Sequence, residues 1–116
     1  MLNVEERKQG DVTILDVEGN IIMGGGSAKL RDTVRRLIDE GRKNVLLNFA
    51  GVKYIDSSGI GELVSSQLAL NRRGGQMKLA NLPSKVEEVI DLSSLRTFFE
   101  IHKDEPEALG DFKNAS

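Results

Sequence analysis

The chain has 116 residues, 39% hydrophobic and 29% charged, a soluble balance that suits one compact domain with its own core. Its net charge is −2, no segment masses Lys and Arg, and aromatics make up 4%, which argues against nucleic acid as a partner. With no cysteine, disulfides, thiolate catalysis and cysteine-based zinc sites are excluded.

Met1–Glu6 holds no apolar signal core, and no run approaches the ~18 apolar residues of a membrane span, so no span and a cytoplasmic location are expected. Val12–Val17 reads as a strand between Gly10-Asp11 and Gly19-Asn20, with Val4 in a preceding strand and a hairpin across Gln9-Gly10-Asp11. Ile21-Ile22-Met23 and the triplet Gly24-Gly25-Gly26 follow. Ser27 is placed to cap a helix whose apolar face is Leu30, Val34, Leu37 and Ile38, and Gly41 ends it. The nearly unbroken apolar run in residues 44–50 predicts a central strand covered on both faces. A second helix is predicted from Ser57 to Arg73, with Ile60, Leu63, Val64 and Leu68 on one face and Gly74 as its stop.

Met77–Ala80 is a further strand. Pro83 precedes Ser84-Lys85-Val86-Glu87, a capping box, and Val86, Val89 and Ile90 mark a short helix. Thr97–Ile101 reads as the last strand, and Ala108, Leu109 and Phe112 give the tail from Asp104 helical spacing. The domain is placed at residues 1–112, with 113–116 as a frayed tail. The order is β-β-β-α-β-α-β-α-β-α or close to it. That implies an α/β fold, an open mixed β-sheet of about five strands with about four helices that cover mainly one face. Ligands of such sheets gather at the carboxyl ends of parallel strands, where the loops after Val17 and Phe49 would lie side by side.

Tyr54-Ile55-Asp56-Ser57-Ser58-Gly59-Ile60-Gly61 carries the functional signal. It sets two hydroxyls where a strand hands over to a helix, beside first-turn N–H groups that lack backbone partners. A phosphate on Ser57 or Ser58 would meet those donors and be opposed by Asp56, as a switch requires. The plain alternative is a helix cap, since Asp, Ser and Gly are common at helix starts. Against it, Gly59 and Gly61 each cost about 0.5–1 kcal/mol inside a helix, and Ile60 and Gly61 stand where a capping box needs Glu or Gln. Close approach of another backbone or a ligand would explain the small residues.

Other chemistry is weaker. Gly24-Gly25-Gly26-Ser27-Ala28-Lys29 lacks the spacing of a phosphate-binding P-loop and reads better as a loop that contacts a partner. His102 is the only histidine, so neither a zinc site nor a supported catalytic triad can be assembled. Asp104, Glu105 and Glu107 read as the negative first turn of the last helix, and Arg31, Arg35, Arg36, Arg42 and Lys43 as a solvated face or a patch for an acidic partner. No catalytic residue, metal or cofactor is called.

The chain resembles the STAS family, found in sulfate transporters and anti-sigma factor antagonists, and within it the small stand-alone bacterial antagonists. The residues that carry the likeness are Val45–Phe49, Tyr54–Gly61, Gly74-Gly75-Gln76-Met77-Lys78-Leu79 and Val86–Ile90, and it spans residues 3 to 102. The resemblance implies a single STAS domain and no enzymatic activity. It implies that the unphosphorylated protein binds an anti-sigma factor that is also a serine kinase, that phosphorylation of a serine in the Asp56-Ser57-Ser58-Gly59 turn releases it, and that a metal-dependent serine phosphatase restores binding. Ser58 is the favoured acceptor, with Ser57 close behind. The partner surface is placed on Asp56, Ser57, Ser58, Gly59, Ile60 and Gly61 and on Gly24, Gly25, Gly26 and Ser27. Antagonists usually carry an acidic residue and a shorter loop after the second strand, where this chain has Met23-Gly24-Gly25-Gly26. The same fold serves as a constitutive subunit of stress-signalling scaffolds and lipid-transport complexes, the alternative reading. A third reading, nucleotide binding by the glycine loop, predicts a nucleotide-induced gain in thermal stability. Oligomeric state is left open.

Overall fold

Gly10 adopts φ 62 at the first central position of a two-residue turn, as a type II′ hairpin requires, and pairs Gln9 with Val12. From that hairpin a computed structural model, which describes residues 1–114, runs through β1 (Leu2–Gln9), β2 (Val12–Ile21), α1 (Gly25–Asp39), β3 (Asn44–Ile55) and α2 (Ser57–Arg72). It continues through β4 (Gln76–Ala80), α3 (Ser84–Leu92), β5 (Glu100–His102) and α4 (Glu105–Asn114). The sheet order is β1-β2-β3-β4-β5, antiparallel between β1 and β2 and parallel thereafter. The predicted α/β class, mixed sheet and helix number are those found. There is one strand fewer than the predicted order, because β2 continues through Gly19-Asn20 by shifting register against β3, so Ile21 is its last residue.

The unbroken apolar run of β3 has a simple cause. Alternate side chains enter two different cores. Val45, Leu47 and Phe49 join Leu15, Val17, Leu79 and the buried faces of α1, α2 and α3. Leu46 joins Val12, Ile14 and Ala80 beneath Ala108 and Phe112 of α4. Three helices therefore cover one face and α4 part of the other, close to the one-sided cover expected from sequence.

Both glycine stops form complete Schellman ends. The Arg42 N–H donates to Leu37 O at 2.9 Å and Gly41 N–H to Ile38 O at 2.9 Å, with Gly41 at φ 80. After α2, Gly75 N–H donates to Leu70 O at 2.8 Å and Gly74 N–H to Asn71 O at 3.0 Å.

Other local expectations are corrected. Of the face predicted for α2, Ile60 and Leu63 are buried and Val64 half-buried, but Leu68 is exposed, and Gln67 and Leu70 are buried beside them. The Ser84 box does not form. Pro83 is the N-cap of α3, and the Glu87 carboxylate accepts from Arg96 at 3.1 Å. Residues 97–99 turn rather than extend: Phe98 N–H donates to Leu95 O at 3.0 Å and Phe98 O accepts from Gln67 Nε2 at 2.8 Å. Both groups are thus lost to a ladder, and β5 begins at Glu100. α4 reaches Asn114, inside the stretch read as a tail, and residues 115 and 116 lie outside the described residues.

α4 is held by a buried cation. Lys78 is 0% exposed, donates to Glu100 and to Asp111 at 2.7 Å each, and lies 4.9 Å from the Phe112 ring centre. Both carboxylates reach water, so removing the lysine frees them to hydrate and the main loss is volume. Lys78→Met is expected to melt near the parent temperature. Lys78→Ala should be about 2–5 kcal/mol less stable than Lys78→Met, the cost of emptying a core site of that size. Calorimetry on both variants checks this, and equal losses would contradict it.

Candidate functional site

β2 and β3 end side by side at Ile21 and Ile55, so the loops that leave them meet at the carboxyl edge of the sheet. Asp56 fastens them. Its Oδ1 accepts from the Gly59 N–H at 2.9 Å and caps α2, while Oδ2 accepts from the Met23 N–H at 3.0 Å in the other loop. The cap is thus Asp56, and Ser57 and Ser58 are free of that duty.

Ser27 does not cap α1 as its position suggested. Gly24, at φ 97, takes the cap position with no side-chain bond. Ser27 Oγ lies instead 2.6 Å from Ser58 Oγ, a hydroxyl pair that joins the first turns of the two helices. Ser58 is half-buried by this contact, whereas Ser57 is exposed.

The glycines divide into two kinds. A Cβ on Gly26 would run into the Asn20 carbonyl oxygen, and one on Gly59 into the Ile21 carbonyl oxygen and the Ile55 side chain. Close backbone approach thus explains Gly59, as the sequence suggested. Gly24, Gly25 and Gly61 face open space. Of the residues placed at the partner surface, Gly26, Gly59 and Ile60 are buried and support that surface from beneath. Asp56, Ser57, Ser58, Gly24, Gly25, Ser27 and Gly61 remain accessible in whole or part.

Two large side chains beside the turn are also exposed. Met23 is 77% exposed and Tyr54 is 54% exposed, with the Lys85 ammonium 4.8 Å from its ring centre. Tyr54 sits in the predicted octapeptide, but only the extension of β3 to Ile55 turns it outward. Among the described residues no group of metal-ligating side chains is present, and no helix is long and apolar enough to cross a membrane. His102 packs against Glu107 at 3.2 Å and Asp111 at 3.4 Å on α4, far in function from the turn.

The amide of Met23, then that of Gly59, favours the ionised Asp56 carboxyl and holds it below the ordinary aspartate range. A depressed carboxyl stabilises the fold above its unfolded pKa and loses that contribution as pH falls through the folded value. The clasp is therefore intact at neutral pH and opens only in acid, once pH falls below the ordinary aspartate range. Asp56→Ala is expected to cost about 0.5–2 kcal/mol in thermal unfolding and to speed hydrogen exchange of the Met23 amide. An unchanged Met23 exchange rate would show that the clasp does not hold the loop.

The STAS domain family model matches residues 3–108. The anti-sigma F factor antagonist of Paenibacillus polymyxa is 27% identical over 90 residues, 73% of this chain and 77% of that protein. The anti-sigma-B factor antagonist of Bacillus subtilis is 24% identical over 100 residues, 86% of this chain and 90% of its own. Among solved structures, the anti-sigma factor antagonist SpoIIAA in its unphosphorylated form shares the fold with a TM-score of 0.73 at 16% identity, over 100% of each chain. The phosphorylated form of this Bacillus cell fate determinant gives 0.71 at 19% identity, over 95% of this chain and 99% of that one.

Proposed function

The chain belongs to the STAS family, and from that premise we propose that it is a cytoplasmic, non-enzymatic anti-sigma factor antagonist switched by phosphorylation of Ser57. Unphosphorylated, it binds an anti-sigma factor that is also a serine kinase. The kinase modifies the turn and is released, and a serine phosphatase restores the binding form. The observation that carries this reading is the exposed Ser57 hydroxyl at the first position of α2, beside a carboxylate that clasps the neighbouring loop. Ser58 was the first choice from sequence, but its hydroxyl is engaged by Ser27 at 2.6 Å, so a kinase would have to break that pair before reaching it.

Phosphorylation would add about −1.5 to −2 units of charge. That charge falls next to ionised Asp56 and competes with it for the N–H donors of the helix end. The modified turn presents repulsion and a bulky anion where the partner must approach closely.

The test is the intact mass of the chain from its native cells, with and without phosphatase treatment, followed by site mapping. A phosphatase-sensitive phosphate on Ser57 is expected, and Ser57→Ala should lack it. A phosphate confined to Ser58 would overturn the choice of acceptor. An unmodified mass under several growth and stress conditions would favour a constitutive subunit of a larger complex.

A further inference from the structure

The arginines of this chain divide by what they face. Arg7 pairs with Asp16 and Glu105, Arg36 with Glu6 and Glu40, and Arg96 with Asp91 and Glu87. The basic group that looked like one solvated face in the sequence therefore splits, because Arg36 and Arg42 are spent on Glu6, Glu40 and Thr13. Arg31, Arg35 and Arg72 instead converge on a cleft of about 260 Å³ between α1 and α2. Arg31 reaches only its exposed neighbour Asp32, at 3.2 Å, and among the described residues no carboxylate lies within 4.0 Å of Arg35 or Arg72. Glu62 is the one acidic residue lining the cleft, so the three cations outweigh it on a molecule whose net charge is −2.

Apolar side chains line part of the floor, between Ser65 and Ser66 and the charged rim. Ile38 lines it from α1, and Leu68, 40% exposed, lines it from α2. Leu68 falls on the face that periodicity predicted would be buried, which an apolar side chain waiting for cover would explain. The cleft begins one helical turn beyond the serine turn, because Arg31 and Glu62, which line it, stand four residues after Ser27 and Ser58. Ser27 meets Ser58 where the helices begin, and Glu62, one turn of about 5.4 Å further along α2, lies in the field of Arg31 and Arg35.

We propose that the α1–α2 cleft is a docking surface for an acidic amphipathic segment of the protein partner that reads the serine turn. The identity of that partner rests on the function proposed above. The chemistry of the cleft does not. Carboxylates of the segment pair with Arg31, Arg35 and Arg72, its apolar side chains cover Leu68 and Ile38, and its end lies against the turn where Ser57 is modified. Charged rims of this kind set approach rate and orientation, so the contact weakens with salt.

The test titrates the full chain, isotopically labelled, with a synthetic helical peptide that carries Leu on one face and Glu on the other. A second peptide replaces every Glu by Lys. Resonances of Arg35, Leu68 and Arg72 are expected to shift with the Glu peptide and not with the Lys peptide. Affinity should fall about tenfold in the exposed pair Arg35→Gln/Arg72→Gln, whose thermal unfolding should stay close to the parent's. Shifts confined to another face, equal binding of the two peptides, or concentration-dependent shifts in the same cleft without peptide would overturn the proposal, the last in favour of self-association. Because the peptides need no phosphate, a failed serine switch with an intact titration would remove the proposed function and leave the cleft. The reverse result would remove only the cleft.

Discussion

Gly59→Ala should lower stability by about 3 kcal/mol, at the top of the usual range for overpacking, while Gly61→Ala should raise it by about 0.4–1 kcal/mol. Both glycines lie in the first turns of α2, and both carry the same cost in helix propensity. They differ in what a methyl would meet. At Gly59 it meets the Ile21 carbonyl oxygen at the end of β2, a backbone atom that cannot step aside without moving the strand end and the Met23 loop. At Gly61 it meets open space. Gly61 is exposed and packing gives no reason for its small size; in the proposed function the partner approaches there. The stabilised Gly61→Ala variant is therefore expected to bind the anti-sigma factor more weakly. Thermal unfolding and a binding isotherm on the same preparations check both halves. Equal stability of the two variants would contradict the packing account, and undiminished binding by Gly61→Ala would move the partner contact away from the turn.

The larger effect on function is expected at Ser57. Ser57→Asp should weaken partner binding by about a hundredfold or more, because it sets a second negative charge beside Asp56 where the proposed partner approaches. The fold should hold. An acidic side chain in the first turn of a helix is favourable by about 0.3–1 kcal/mol, and this gain opposes the repulsion from Asp56. Ser57→Ala should bind as the unmodified chain does and no longer respond to the kinase. Ser58→Ala should keep the switch, because it removes only the hydroxyl pair with Ser27. Retained binding by Ser57→Asp together with loss by Ser58→Asp would reassign the acceptor.

What the sequence made legible is local. The stops at Gly41 and Gly74 were readable because a Schellman end needs one positive-φ residue at a fixed offset, and both glycines have it, at φ 80 and φ 77. The apolar run of β3 announced two-sided burial because strand periodicity alone decides it. The junction of β3 with α2 was readable too, since Asp56, Ser57, Ser58 and Gly59 are consecutive and favour a helix start. What escaped depends on partners distant in the chain. Ser27 looked like a cap because capping is judged from the next few residues, yet its hydroxyl bonds to Ser58, 31 residues away. Asp56 looked like a charge beside the switch, and its hold on the Met23 amide, 33 residues back, appears only when β2 and β3 are set in register. Leu68 shares the apolar stripe of Ile60, Leu63 and Val64 by periodicity, yet within the chain it stays exposed. Tertiary packing gives its place to Gln67, which donates to Phe98 O at 2.8 Å, and that same bond draws Phe98 out of the predicted last strand.

In the proposed switch the charge state of one serine decides whether the partner stays bound. The most direct measurement immobilises the chain in two forms from one preparation, phosphorylated on Ser57 and phosphatase-treated. Each is exposed to the purified anti-sigma factor that the unmodified chain captures from native cells, identified by mass. The expected result is retention on the treated form and none on the phosphorylated form, with retention lost again when ATP is supplied to the retained kinase. Equal retention on both forms would contradict the switch.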